Sequence, residues 1–215
     1  MKTIQNVEDT KDADGKWKRS YMYDGVRYFT RGGMLWSAVS SRTKPNGATQ
    51  QKLPNYQGVI NQFTDFQSFV EWCHCEFGYL NKENNGRFWS LDKDILVFNN
   101  KIYSPETCCF VPNTINSLLI NCTRSRGILP LGVSFRKDIQ KFSVQVADRE
   151  GGRIVVNGFH DPMEAHRKYQ EIKIKLFQNA IKDFQSILPY KTTQGLQRHL
   201  QLIEDDFKAY RETIR

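Results

Sequence analysis

No stretch of the chain approaches the ~20 consecutive apolar residues that a membrane-spanning helix needs, so an integral helical membrane protein is excluded. The opening, MKTIQNVEDTKDADGKWKR, lacks the apolar core of a secretory signal. The expectation is a protein of the cytoplasm with no membrane partner. Cysteine is scarce: Cys73, Cys75, Cys108, Cys109 and Cys122 are the five in the chain. An odd count without a secretory signal argues against a disulfide framework. Cys73-His74-Cys75 and Cys108-Cys109 do not have the spacing of a zinc knuckle, and adjacent side chains tend to diverge. They are read as small buried hydrophobes, and no structural zinc is expected. Histidine is sparse too. The chain has four, and only His74 falls in the first half, where it reads as a packed or surface helix residue.

What is present is ordinary for a folded protein. The 215 residues suffice for one large domain or two small ones, with 39% hydrophobic and 13% aromatic residues. Charge is the unusual feature. The net charge is +8, and the excess is concentrated late: 17 Lys and Arg stand against 11 Asp and Glu from Arg124 onward, 14 against 12 before it. A basic excess of this kind points to a polyanionic partner, usually nucleic acid.

Along the chain, residues 1–20 are polar without hydrophobic period and read as a loose arm. Met34, Leu35, Ala38 and Val39 make a short helical stripe, with Trp36 off it. Phe66, Phe69, Val70, Cys73 and Phe77 fall at helical spacing within Phe63 to Tyr79, with Thr64 or Asp65 as cap. The stretch LDKDILVFNNKIYSPETC then reads as strand, turn, strand and helix start. Trp89 to Val97 alternates, Asn99-Asn100 suits a tight turn, Lys101 to Tyr103 returns, and Ser104 can cap a helix. CCFV continues as helix, strand or coil until Pro112 breaks it. A second helical turn is expected over Asn113 to Leu119. The region 21–122 is taken as one domain and 123–130 as a linker.

After the linker the pattern changes. LGVSF, KFSVQV and RIVVNGF are three short strands, followed by a long helix. Asp161 as N-cap, Pro162 at the first position and Glu164 two residues later start that helix. Its core stripe is Ala165, Tyr169, Ile172, Leu176, Ala180 and Phe184. A last helix is expected in LQRHLQLIEDDFKAYR. The fold class is α+β, with residues 131–215 forming a three-stranded antiparallel sheet packed on a helix. Val133, Phe135, Phe142, Val144 and Ile154 should face that helix. Ser134, Arg136, Lys141, Ser143, Gln145 and Arg153 should face away, a mixture of long cations and small donors that can enter a major groove.

PLGVSF, KFSVQV and GGRIVVNGFHDPMEAHRKY together resemble the Apetala-2 (ethylene-response-factor) DNA-binding domain over about Leu129 to Phe177. GFHDPMEAHRKY is the most specific part. That family lays a three-stranded sheet in the major groove of double-stranded DNA. The resemblance implies Arg136, Lys141, Ser143, Gln145 and Arg153 as DNA contacts, although its first strand is richer in arginine than the one here.

LDKDILVFNNKIYSPETCCFVPNTIN is similar to the HNH (His-Me finger) nucleases. The likeness is closest to bacteriophage-encoded HNH proteins that carry an Apetala-2 domain after the nuclease, as homing endonucleases do. This resemblance implies a hydrolase using one Mg²⁺ or Mn²⁺ on a hairpin-plus-helix, with Asp92 and Asn116 as metal ligands. If the gene is a phage gene, the cytoplasm is that of the bacterial host. The family places its water-activating histidine directly after the metal aspartate, and here Lys93 stands there. Free lysine, with a pKa near ~10.4, holds its proton at pH 7, so Lys93 is a phosphate-binding or charge-stabilising candidate and Asp94 a second candidate as base or ligand. The alternative is a DNA-binding protein built on an inactive nuclease, or one that engages a host protein.

Overall fold

A computed structural model describes residues 3–119, 127–148 and 152–213. Cys122 and part of the expected linker lie outside them. The fold is α+β, as expected. The first sheet is formed by β1 (Thr3–Val7), β2 (Ser20–Tyr23) and β3 (Val26–Thr30), in the order β1-β3-β2 with β1 parallel to β3. Asp24-Gly25 joins β2 to β3 with positive φ at both residues, the geometry of a two-residue hairpin turn that matches strand twist. Residues 1–20 are therefore more than an arm where described. They contribute β1 and an anchor at Asp9, whose carboxylate accepts from the Gly32 N–H at 2.8 Å, the Tyr79 hydroxyl, and His74 Nε2 at 3.1 Å. A single polar arm hides this, because its partners come from far along the chain.

Thr30 caps α1 (Arg31–Thr43). The stripe on α1 differs from expectation in one respect: Trp36 also packs inward, against Phe66 and Phe69. Next come α2 (Ala48–Lys52), a single 3₁₀ turn at Pro54–Tyr56, β4 (Ile60–Asn61) and α3 (Phe66–Cys75). Asp65 caps α3 through a reciprocal bond with Ser68. Phe66, Phe69, Val70 and Cys73 are buried, whereas Phe77 lies past the helix end and is exposed.

The Asp92 region departs most from the expected hairpin. β5 (Ser90–Asp92) has only three residues and pairs antiparallel with β7 (Cys109–Val111). The intervening β6 (Ile102–Tyr103) pairs parallel with β4 instead. The strand stops at Asp92 because its own Oδ1 accepts the backbone N–H groups of Asp94 (2.7 Å) and Ile95 (2.8 Å), folding the chain into a bend. Asp94 therefore does not share a strand face with Asp92. Ser104 heads a turn rather than a helix, with the Cys108 N–H donating to its carbonyl. The helical turn expected over Asn113–Leu119 is present as α4 (Asn113–Asn116) continuing into a 3₁₀ turn.

In the second half, β8 (Val133–Arg136), β9 (Lys141–Ala147) and β10 (Arg153–Phe159) form an antiparallel sheet with β9 central. It packs on α5 (Pro162–Phe184), whose first turn is held by Asp161 accepting from Met163 N and Glu164 N at 2.8 Å each. α6 (Tyr190–Lys208) follows.

The cores do not divide where the linker would divide them. A small core unites Leu131, Val133, Val144, Val146, Ala165 and Tyr169. The large core joins the aromatic residues of α3 and the β5–β7 pair to Phe177 and Ala180 of α5 and Leu196 and Ile203 of α6. α5 thus serves the sheet with its first half and the large core with its second. It also has a buried polar row beside the expected apolar stripe. His166 bonds the Leu131 carbonyl at 2.8 Å and accepts from Thr213 N at 3.0 Å, Gln170 donates to the Arg211 carbonyl at 2.9 Å, and Lys173 donates to the Leu118 carbonyl at 2.5 Å. With their nitrogens bonded in this way these side chains can be buried, although Gln170 Oε1 has no partner among the described residues. No helix among the described residues is long and apolar enough to cross a membrane. Cys73, Cys108 and Cys109 are buried and Cys75 is exposed, all as free thiols.

Candidate active site

The bend after β5 forms one wall of a cleft of about 640 Å³. Asp92, Lys93, Asp94, Asn100 and Lys101 line that wall, and Asn116 reaches it from α4. Arg42 and Tyr56 line it from the α1 side, Tyr103 from β6, and His199 from α6. Asp92 and Asn116, 24 positions apart in the chain, therefore meet one cavity.

Asp92 is 9% exposed. Burial, then the neighbouring Asp94 charge, pushes its pKa up to about 6, against the pull of the two backbone N–H groups and Lys93. Its Oδ2 accepts from no described residue. A carboxylate in such a place gains from a nearby cation. The available donors are a carboxylate oxygen, an amide oxygen and the partly exposed Asp94, all hard oxygen ligands that suit Mg²⁺ or Mn²⁺. No group of three His, Cys, Asp or Glu side chains converges among the described residues. An ion held here would keep several positions for water and phosphate, and on the chemistry of the donors the residues fit it.

Lys93 is engaged by its own loop. Its side chain is buried, and Nζ donates to both Asp94 oxygens (2.7 and 2.8 Å) and to the Asn100 carbonyl (2.7 Å). An ammonium donating three hydrogen bonds has no lone pair for a proton from water. Asn100 locks the loop from the other side, donating to the carbonyls of Lys93 (2.7 Å) and Ile102 (2.6 Å). Lys93 thus closes the 93–100 loop, because burial leaves it only the chain's own acceptors. Asp94 is the partner of Lys93, with its side chain still 40% exposed.

α6 pins the same loop. Arg198 donates to the Leu96 carbonyl at 2.8 Å, and His199 Nε2 lies 3.0 Å from the Asp94 carbonyl, so that nitrogen carries the proton. Gly195 sits against Ile95 so closely that a Cβ there would overlap the Ile95 carbonyl oxygen. Arg42, Tyr103 and His199 were not foreseen as site residues. Nothing local marks them, since each reaches the cleft only through tertiary packing. His74 belongs elsewhere, stacked on Trp17 at 4.4 Å and bonded to Asp9.

The outward face of the β8–β10 sheet is a second polar surface. Pairing of Ser134 with Ser143, Arg136 with Lys141 and Ala147 with Arg153 sets the expected residues on it, and Gln145 pairs with Val155. Lys141, Gln145 and Arg153 are accessible. Ser143 is not: it is 4% exposed, and its hydroxyl lies 2.9 Å from that of Ser134. In the centre of the sheet it is covered by its neighbours. Arg136 is engaged by Asp138 through two bonds of 2.8 and 2.5 Å, which hold the Asp138 pKa down at about 2. Val155 and Asn157 share this face with Arg153, as the alternation of RIVVNGF could have indicated. On the inner face, Phe135 was expected under the helix but is 42% exposed, resting edge-on against Phe142.

The chain matches no protein-family model, no curated protein and no solved structure.

Proposed function

We propose that the protein is a divalent-metal-dependent DNA endonuclease or nickase of HNH type, hydrolysing phosphodiesters in the cleft and reading its target with the outward face of the Apetala-2-like sheet. The observation that carries this reading is the convergence of Asp92 and Asn116 on one cleft, with the Asp92 carboxyl raised by burial. When bound, Mg²⁺ or Mn²⁺ supplies a Lewis acid beside the phosphate and its leaving oxygen. Asp92 and Asn116 orient the site, Lys93 and Asn100 keep the loop in shape, and Asp94 is assigned as acceptor of the water proton. Lys141, Gln145 and Arg153 contact double-stranded DNA, and the cationic excess beyond Arg124 supports that role.

A second reading keeps the DNA contact without cleavage, or puts a host protein in place of DNA. The burial of Lys93, where the nucleases that this stretch resembles place histidine, favours it. Supercoiled plasmid incubated with Mg²⁺ or Mn²⁺ separates the two. Wild type should nick it, and Asp92→Asn, which keeps an oxygen for the two backbone N–H groups, should not. Salt-sensitive DNA binding without nicking in either metal would sink the nuclease reading and leave the second.

A further inference from the structure

Among the described residues Arg31, Lys93 and Lys173 are buried cations, and Arg42 is half-buried. Lys93 is satisfied by three acceptors of its own loop. Arg31 donates to the Tyr79 carbonyl at 2.8 Å and the Trp89 carbonyl at 2.7 Å. Each is committed to the fold. Arg42, in the last turn of α1, is different. Only its Nη1 has a described acceptor, the Tyr103 hydroxyl at 3.1 Å, and its guanidinium carbon lies 5.2 Å from the centre of the Tyr56 ring. No described carboxylate comes within ion-pair distance of it, yet it lines the same cleft as Asp92 and Asn116.

From this we infer that Arg42 is a phosphate-binding residue of the cleft, its guanidinium holding a non-bridging oxygen of the phosphodiester opposite Asp92. The inference rests on the proposed function and deepens it. The chemistry follows from the side chain. A guanidinium presents five N–H donors in a planar fork that matches two oxygens of a phosphate. The contact with the Tyr56 ring and the bond to Tyr103 hold the guanidinium before any ligand arrives, so less freedom is lost on binding. Arg42 and Asp92 face one cavity without forming an ion pair, which leaves room for a ligand between them. Lys101, anchored by its 3.1 Å bond to the Asn55 carbonyl, adds a second positive charge to the same wall. Tyr103 acts as a positioning residue, because it touches Arg42 rather than the phosphate.

The test is titration of metal-free, full-length protein with inorganic phosphate, followed through the side-chain amide resonances of Asn100 and Asn116. In wild type those resonances should shift and saturate. Arg42→Gln should weaken the apparent phosphate affinity at least about tenfold. Arg42→Lys should fall between the two, since it keeps the charge and loses the fork. Tyr103→Phe should weaken binding less than Arg42→Gln and leave the thermal midpoint near that of wild type. Were Arg42→Gln to destabilise the fold, Arg42→Lys would carry the comparison. Phosphate that leaves the wild-type resonances unmoved, or binds both Arg42 variants as tightly as wild type, overturns the inference. Plasmid nicking is scored separately. Arg42-dependent phosphate binding without nicking supports the inference and sinks the nuclease reading. Nicking that persists in Arg42→Gln, with phosphate affinity unchanged, does the reverse.

Discussion

In the cleft, Lys93 gives all three of its protons to acceptors in its own loop, and Asp92 takes two backbone N–H groups on a single oxygen. On the outward face of the β8–β10 sheet, Lys141, Gln145 and Arg153 make no side-chain hydrogen bond to a described residue. Both regions are polar, but the side chains of the first are held by the fold's own acceptors and those of the second reach into solvent. Pre-set geometry suits chemistry, where a small misplacement of a reacting group is costly. Long solvated side chains suit a phosphate backbone, where affinity comes from charge and counterion release. A substitution at Asp92 or Lys93 should therefore disturb stability and chemistry together. One on the sheet face should change affinity alone.

The largest effect is expected from Lys93→Met. It removes the donor from Asp94 and from the buried Asn100 carbonyl, and should cost about 2–3 kcal/mol in urea unfolding. The partial exposure of Asp94 keeps the loss from being greater. A loss of nicking with stability unchanged would instead mark Lys93 as chemical and erase the contrast.

Asp92 gives the next effect, read through pH. Its folded pKa is raised to about 6 by burial and the Asp94 charge, whereas an unfolded aspartate titrates near ~3.9. Between those values the folded chain holds the extra proton. The stability this group contributes to metal-free protein is thus full below about 4 and is lost as pH rises through about 6, a change on the order of 3 kcal/mol. A divalent cation competes with that proton, so stabilisation by Mn²⁺ should appear above pH ~6 and fade below it. Thermal unfolding against pH, with and without Mn²⁺, measures both trends, and Asp92→Asn should flatten them.

On the sheet, Lys141→Ala and Arg153→Ala should leave the unfolding midpoint unchanged while each lowers the slope of log K against log salt by about 1. Equal loss of folding stability would show that the face is structural. The smallest effect belongs to Asp138→Asn. Freeing the Arg136 fork from its exposed partner should raise DNA affinity by no more than a few-fold in an equilibrium binding assay.

Much of the second half was legible because its signals are local. Asp161, Pro162 and Glu164 mark the start of α5 within four residues, and strict alternation in KFSVQV assigns each side chain to a face of the sheet. The Asp92 region was legible in its residues but not in its form. β4, β5, β6 and β7 have two or three residues each, too few for a period, and their pairing of β5 with β7 and β4 with β6 is set by packing far from the strands themselves. His166, Gln170 and Lys173 lie off the apolar stripe that the sequence marks on α5. They are buried with their nitrogens bonded to backbone groups and to Thr213, although Gln170 Oε1 has no partner among the described residues, and no hydropathy pattern records those bonds. Arg42 and His199 reach the cleft across 61 and 105 positions of sequence, to Tyr103 and Asp94 respectively.

That last separation has a consequence for the order in which the protein comes into being. The Asp92 loop is translated long before Gly195, Arg198 and His199, the three residues of α6 that hold it. With 105 positions between Asp94 and His199 and synthesis at about 5–20 residues per second, the loop waits on the order of 5–20 s for its clamp. A chain halted late in that interval carries Asp92 and Asn116 but not the helix that pins the loop after Asp92. Until α6 is made, the cleft lacks its His199 wall and the loop lacks its two α6 bonds.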